Sequence, residues 1–328
     1  MNSIGNLFKI TLYGESHQQA IGVIIDGVKP GTFIDETRIK NELTQRRPGK
    51  VGTKPRIEKD EFVITSGVFE GKATGSPIHI MIPNMNTQSK DYDHLLSQPR
   101  PGHADFVSAK KYSGFHDHRG GGRFSGRLTA PIVAAGSIAK MMLPMTFSHE
   151  LIQVGICKNP SDFDAYLNDI KAQGDSVGGV IEITVQGVPV GLGEPMFNKL
   201  DAAITHMLMS MPAVKLVSFG DALDMIESKG SEFNDTLLNE DGLTKTNHSG
   251  GVVGGISNGN DIKVKVFIKP TSSIQKQQDT YSFDRKTTDA LTVGGRHDVC
   301  IARRAGIVVE NAVAIVLADM FLLNKMYD

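Results

Sequence analysis

The sequence predicts an α+β protein in which helices are packed between outer antiparallel sheets. Two observations carry that prediction. Ile78, Ile80 and Ile82 alternate with other residues, as do Ile181, Ile183 and Val185, and Ile262, Val264, Val266 and Ile268. Each of these segments therefore has one apolar face to bury and one face for water. Two helical stretches, "IVAAGSIAKMML" after Pro131 and "AGIVVENAVAIVLADMFLL" from Ala305, are instead apolar nearly all round and need cover on every side. Buried helices and half-buried strands place the sheets outside, the reverse of a doubly wound fold. A third observation is an internal echo. "VIIDGVKPG" (Val23 to Gly31) leads to a helix beginning near Asp35, and "ITVQGVPVG" (Ile183 to Gly191) leads to one beginning near Asn198.

The elements follow in order. Thr129 can cap the first apolar helix, with Pro131 in its first turn, where a missing N–H costs nothing. Ser161 and Asp164 read as a capping box ahead of Phe163, Leu167 and Ile170, with Gly174 as the stop. Leu200, Ile204, Leu208 and Met211 have helical spacing, ended by Pro212. The polar run from Glu227 to Ser249 reads as a long loop. The stretch from Ala305 to Leu323 carries Glu310, Asn311 and Asp319, and an Asp at the centre of a membrane span costs roughly 2.5–3.5 kcal/mol, so a buried helix is the better reading. No linker divides the chain, which reads as a single domain over 1–328.

Composition narrows the function classes. In 328 residues, 35 Lys and Arg stand against 36 Asp and Glu, a net charge of -1, so no global field attracts nucleic acid. The two cysteines, Cys157 and Cys300, suggest neither a disulfide framework nor a zinc site, and the N-terminus lacks the pattern of a signal peptide. A cytoplasmic protein without membrane or nucleic-acid partners is expected.

The neutral total hides a local excess. Between Arg100 and Arg127, six cations and three histidines stand against two aspartates, around the run "GFHDHRGGGRFSGRLTA". Glycines allow close backbone approach and arginines offer forked donors, so the target is a small multi-anionic ligand. Few aromatics are present to stack bases, no G-x-x-x-x-G-K-[ST] occurs, and no G-x-G-x-x-G opens a helix after a strand. His116 and His118 share a face if extended, but no third ligand cluster accompanies them, so no metal is expected. His17 in "GESH" and His103 in "RPGHAD" are better placed for proton transfer, because imidazole titrates near neutrality. "KPTSS", from Lys269 to Ser273, offers a cation, three hydroxyls and backbone donors, a good phosphate cradle.

In order, "GESH", "RRPG", "RPGHAD", "GGGRFSGR", "GGVVGGISNG", "KPTSS" and "GRHDVC" resemble the signature blocks of the chorismate synthase family, from Gly14 to Cys300. The resemblance implies a homotetrameric shikimate-pathway lyase, with a β-α-β sandwich fold and internal pseudo-symmetry. It converts 5-enolpyruvylshikimate 3-phosphate to chorismate and phosphate, using reduced FMN in a reaction without net redox change. NADPH or an outside source would reduce the flavin, and an external reductant is expected.

Carried over residue by residue, the resemblance implies that Arg123, Phe124, Ser125, Pro212, Ala213, Gly254, Lys269, Pro270, Thr271, Ser272, Ser273 and Arg296 bind FMN. Arg46, Arg100, Ser125, Arg127 and Arg296 hold the substrate. His17 protonates the departing phosphate, His103 sets the protonation state of the flavin, and Asp298 relays the C6 proton. The chain departs from the family at Gln18, Phe124 and Val299. In "RRPGKVGTKPR" it also lacks an arginine after Pro48, for which Lys50 or Lys54 would stand in. Two rival functions are a non-catalytic module for a phosphorylated metabolite or RNA, and a metal-dependent phosphatase built on His116 and His118.

Overall fold

A computed structural model describes residues 1–53, 60–85, 95–294 and 297–327. Its frame is two antiparallel sheets with helices between them. In the first half, β1 (Lys9–Gly14), β2 (Ala20–Asp26), α1 (Glu36–Gln45), β3 (Val63–Ser66), β4 (Ile78–Pro83) and α2 (Thr129–Met141) follow one another. In the second half, β5 (Thr146–Val154), β6 (Gly179–Gln186), α3 (Leu200–Met209), β7 (Val214–Phe219), β8 (Ile262–Ile268) and α4 (Ala302–Asn324) repeat that order. The lateral order repeats too: β1-β2-β4-β3 in one sheet, with Ser3–Ile4 added at its edge, and β5-β6-β8-β7 in the other. The echo in sequence thus falls on β2 and β6, each followed by a helix, α1 after β2 and α3 after β6.

The alternation behaves as expected. Ile21, Val23 and Ile25 of β2, Ile80 of β4, Ile183 of β6 and Val264 of β8 are fully buried, and each contributes about 1.5–3 kcal/mol. Between the buried residues of β8, Lys263 and Lys265 face outward, opposite Thr184 and Glu182 of β6. α2 packs on β2 and β4, α4 on β5 and β6, and the two helices pack on each other. Gly136 of α2 lets them approach: a Cβ there would lie 2.4 Å from the Cβ of Asn311.

α4 is long and apolar enough to cross a membrane by composition, yet 83% of its most apolar window is buried inside the protein. The polar residues that argued against a span are where it is fastened. Asp319 accepts from the backbone N–H groups of Asn6, Leu7 and Phe8 at 2.7–3.0 Å, and Glu310 is held by Lys140 of α2 and His149 of β5.

Two predicted caps differ. Asn159, not Ser161, receives the first free N–H, that of Ser161 itself, because a 3-10 turn at Pro160–Asp162 precedes the helix Phe163–Ala172. Thr129 lies inside α2 and donates to the Gly126 carbonyl at 2.7 Å. Ser125 is the capping side chain there, accepting from the N–H of Arg127 in the turn before the helix.

Candidate functional site

A cavity of about 710 Å³ opens at one end of the helical layer, between the turn ahead of α2 and the start of α4. Both halves contribute to its wall. Arg46, His103, Arg123 and Phe124 come from the first, and Pro212, Ala213, Lys269, Pro270, Thr271, Ser272, Ser273 and Asp298 from the second. His17, Arg100, Ser125 and Arg127 are not on the wall. Gly254 lies in the tight turn between Val252–Val253 and Ile256–Ser257, and the structure does not bring it to the cavity. Arg296 and Lys54 lie outside the described residues, and Lys50 is on a turn away from the wall.

The three consecutive glycines have a geometric reason. Gly120, Gly121 and Gly122 all have left-handed backbone, with φ of 59°, 80° and 49°. A Cβ on Gly120 would fall 2.4 Å from Nε2 of His17, and one on Gly121 would fall 3.6 Å from Cε1 of His103. Two neighbouring glycines therefore lie against the two candidate proton donors. A backbone bond from Ser16 N–H to the Gly122 carbonyl, 3.3 Å, ties the "GESH" turn to the same run. Arg123 then anchors it to the sheet, donating to the carbonyls of Leu12 and Gly14 and to Asn2.

His103 is held by a buried network. Its Nδ1 lies 2.5 Å from Asp105 Oδ1 and 2.9 Å from Arg100 Nη2, and these contacts on one ring nitrogen point Nε2 the other way. Arg100, 7% exposed, donates to both oxygens of Asp105 and to Ser273 Oγ at 2.9 Å. Burial alone would raise the Asp105 carboxyl, but the bonds from Arg100 and His103 outweigh it and hold it well below the usual carboxylate range. Arg100 is thus a bracket between the "RPGHAD" and "KPTSS" segments. Lys269 reinforces it, donating to the Gly102 carbonyl and to Ser272 Oγ. At the turn before β7, Ala213 takes a left-handed φ of 69° while its carbonyl accepts from Lys269 N–H.

The remaining arginines are partly neutralised by carboxylates. Asp60, whose side chain is fully buried, pairs with Arg46 at 2.8 Å and with Arg127. Burial pushes the Asp60 carboxyl up, but the two guanidiniums prevail and leave it below its ordinary value. Burial also lowers Arg46, with Asp60 opposing and the charges of Arg304 and Arg127 adding. Asp298 is clamped by Arg304, whose Nε and Nη2 both reach Oδ2, at 3.0 and 2.6 Å.

The balance on the described wall favours anions. Arg46, Arg123, Lys215, Lys269 and Arg304 face one carboxylate, Asp298. Burial, and then the charge of Lys215, lower Lys269, so an anion beside it would be stabilised. Two buried polar atoms of the wall, Arg46 Nε and Thr271 Oγ1, have no hydrogen-bond partner among the described residues. Such groups are costly unless a ligand or water completes them. The set fits a flat cofactor carrying a phosphate and a polyanionic substrate.

Other predicted features fall elsewhere. Asp117 pairs with Arg119, whose hydrogen bond holds its carboxyl down at about 2. Among the described residues no group of three His, Cys, Asp or Glu could hold a metal. Sequence reasoning missed Asp60, hidden in the charged run "KPRIEKDE", and Arg304. The available signal for Arg304 was "ARRAG", two cations heading an otherwise apolar helix.

Comparison with known proteins places residues 8–322 on the family model described as chorismate synthase. A chorismate synthase of Chitinophaga pinensis is 46% identical over 325 residues, covering 99% of this chain and 98% of the relative. One from Sulfurimonas denitrificans is 45% identical over 350 residues, covering 99% and 96%. A crystal structure of chorismate synthase superposes with a TM-score of 0.75 at 25% identity, over 98% of this chain and 93% of the other.

Proposed function

Because the chain belongs to the chorismate synthase family and is an enzyme, a lyase of the shikimate pathway, we propose that its cavity binds reduced FMN and 5-enolpyruvylshikimate 3-phosphate together. One observation carries this reading. Candidate residues from both halves meet on a single cavity with a cation surplus and two unsatisfied buried polar groups. FMN would be held by Arg123, Phe124, Pro212, Ala213 and the segment from Lys269 to Ser273, with Ser125 behind them. Reduced flavin supplies electron density that can be lent and recovered, which explains a redox cofactor in a redox-neutral elimination.

The chain's own residues divide the remaining work. Arg46 presents its buried, unpartnered Nε to an anion, with Asp60 orienting its fork and that of Arg127 behind it. His17, packed on Gly120, protonates the phosphate as it leaves C3. His103, its ring oriented by Asp105 and Arg100, holds or releases a proton through Nε2 toward the flavin. Asp298 takes up the proton from C6. Arg100 supports the site from behind by fixing Asp105 and Ser273, a role distinct from the direct substrate contact that the resemblance implies.

Gly254 and Arg296 remain flavin ligands on the strength of the resemblance alone. The repeated element order supports internal pseudo-symmetry, and the buried cluster that runs through both halves supports a single domain. A homotetramer, a cytoplasmic location and an external reductant complete the proposal. Anaerobic phosphate release with chemically reduced FMN, repeated with oxidised FMN and NADPH, tests it. Release only in the first assay is expected, and no release in either overturns the reading.

A further inference from the structure

We propose that Arg304 is a positioning residue for this reaction: it holds Asp298 by one oxygen and, with Arg46, forms a pair of like charges between which an anionic group of the substrate lies. The inference rests on the lyase reading above. Arg304 is the third residue of α4, and the first turn of that helix holds two arginines and no acid. A helix N-terminus carries partial positive charge, so two cations there oppose the dipole. Arg303 is drawn away by Asp164 and the Val51 carbonyl. Arg304 instead faces the cavity.

Its donors are unevenly used. Nε and Nη2 both go to Oδ2 of Asp298, leaving Oδ1 out of the clamp, while Nη1 makes no hydrogen bond among the described residues. A carboxylate that takes up a proton in each turnover must be held in one orientation, and two donors of one guanidinium on a single oxygen do that. Arg46 lies on the same wall, 5% exposed, with its Nε unpartnered. Its counter-ion, Asp60, lies on its other side, next to Arg127. Arg46 and Arg304 thus line the same cavity, each with one donor that no described residue takes, while other donors of the same guanidiniums hold Asp60 and Asp298. Burial lowers Arg46 most, and the charge of Arg304 adds to it, in accord with two cations facing one space. A dianionic phosphate or a carboxylate fits it.

The bland alternative is an ion pair that merely fastens the loop before α4. Two variants separate the cases. In anaerobic turnover with reduced FMN, Arg304→Gln is expected to lower kcat by roughly tenfold to a hundredfold, the effect of a misplaced reacting group, and to raise KM. Arg304→Lys, which restores charge without the fork, recovers KM but not kcat. The FMN dissociation constant and the urea midpoint stay near wild type in both. Wild-type kcat in Arg304→Gln, or recovery of both constants in Arg304→Lys, overturns the positioning role. So does a joint loss of flavin affinity and urea midpoint in both variants. If Arg304→Gln fails to fold, the kcat of Arg304→Lys decides alone. A wild-type enzyme without turnover overturns the lyase reading and this inference together.

Discussion

The molecule holds two groups of buried charges, and they are built on opposite plans. Between the halves, Lys140 donates to Glu42 at 3.2 Å and to Glu310, Arg38 donates to Glu42 at 3.2 Å, and His149 donates to Glu310 at 2.5 Å. Every cation there touches a carboxylate. At the cavity, Arg123 and Lys269 reach only carbonyls, an amide and a hydroxyl, and neither has a carboxylate partner among the described residues. The titration shifts point the same way. Burial would raise Glu310, but His149 and Lys140 favour its charged form and leave it below its ordinary value. Burial lowers Lys269, and Lys215 adds to the effect. In the first cluster cations and carboxylates meet each other, whereas at the cavity two cations are held by neutral groups alone among the described residues.

The comparison breaks first at the proton donors. His17→Ala should lower turnover by roughly 10²–10⁴-fold while the urea midpoint stays unchanged, because the residue serves the ligand and not the core. Wild-type turnover in that variant would return His17 to the role of a turn residue. The opposite pattern is expected at the interior cluster. Lys140→Met takes one partner from each of two buried carboxylates, leaving Arg38 to Glu42 and His149 to Glu310, and should cost up to about 3–5 kcal/mol of stability by urea unfolding. In the protein that remains folded, flavin affinity should match wild type.

Smaller effects sharpen the contrast. Lys269→Ala should weaken FMN binding by about 1.5–3 kcal/mol, the loss of a charge-assisted hydrogen bond, without lowering stability. An unchanged flavin titration would remove Lys269 from the cradle. The last effect is one of pH. A carboxyl lowered on folding contributes stability that is present above its unfolded value and lost as pH falls through the folded one. For Glu310 that loss begins as pH falls through its ordinary 4.5 and continues below it. Glu310→Gln should flatten this part of the acid unfolding curve, whereas an identical curve would assign the acid sensitivity to other carboxyls, such as Asp105.

The sequence alone determined the layers of this protein. Alternation in β4, β6 and β8, and helices without a polar face, leave few arrangements that keep water off both, and periodicity is a local property that a single chain displays. It also pointed to the residue types of the site, through short blocks whose glycines, arginines and histidines have little other use. Tertiary structure decided which partners those groups have. Arg100 and Arg127 look like ligands in sequence and prove to be paired with Asp105 and Asp60, one of which lies in an unremarkable charged run. Asn159 and Ser125 took the caps expected of Ser161 and Thr129 because short turns moved the helix starts. Arg304 meets Asp298 across six residues and a bend, and Gly120 meets His17 across a hundred. Partnership between charges depends on distance in space, and at these separations spacing along the chain carries no record of it.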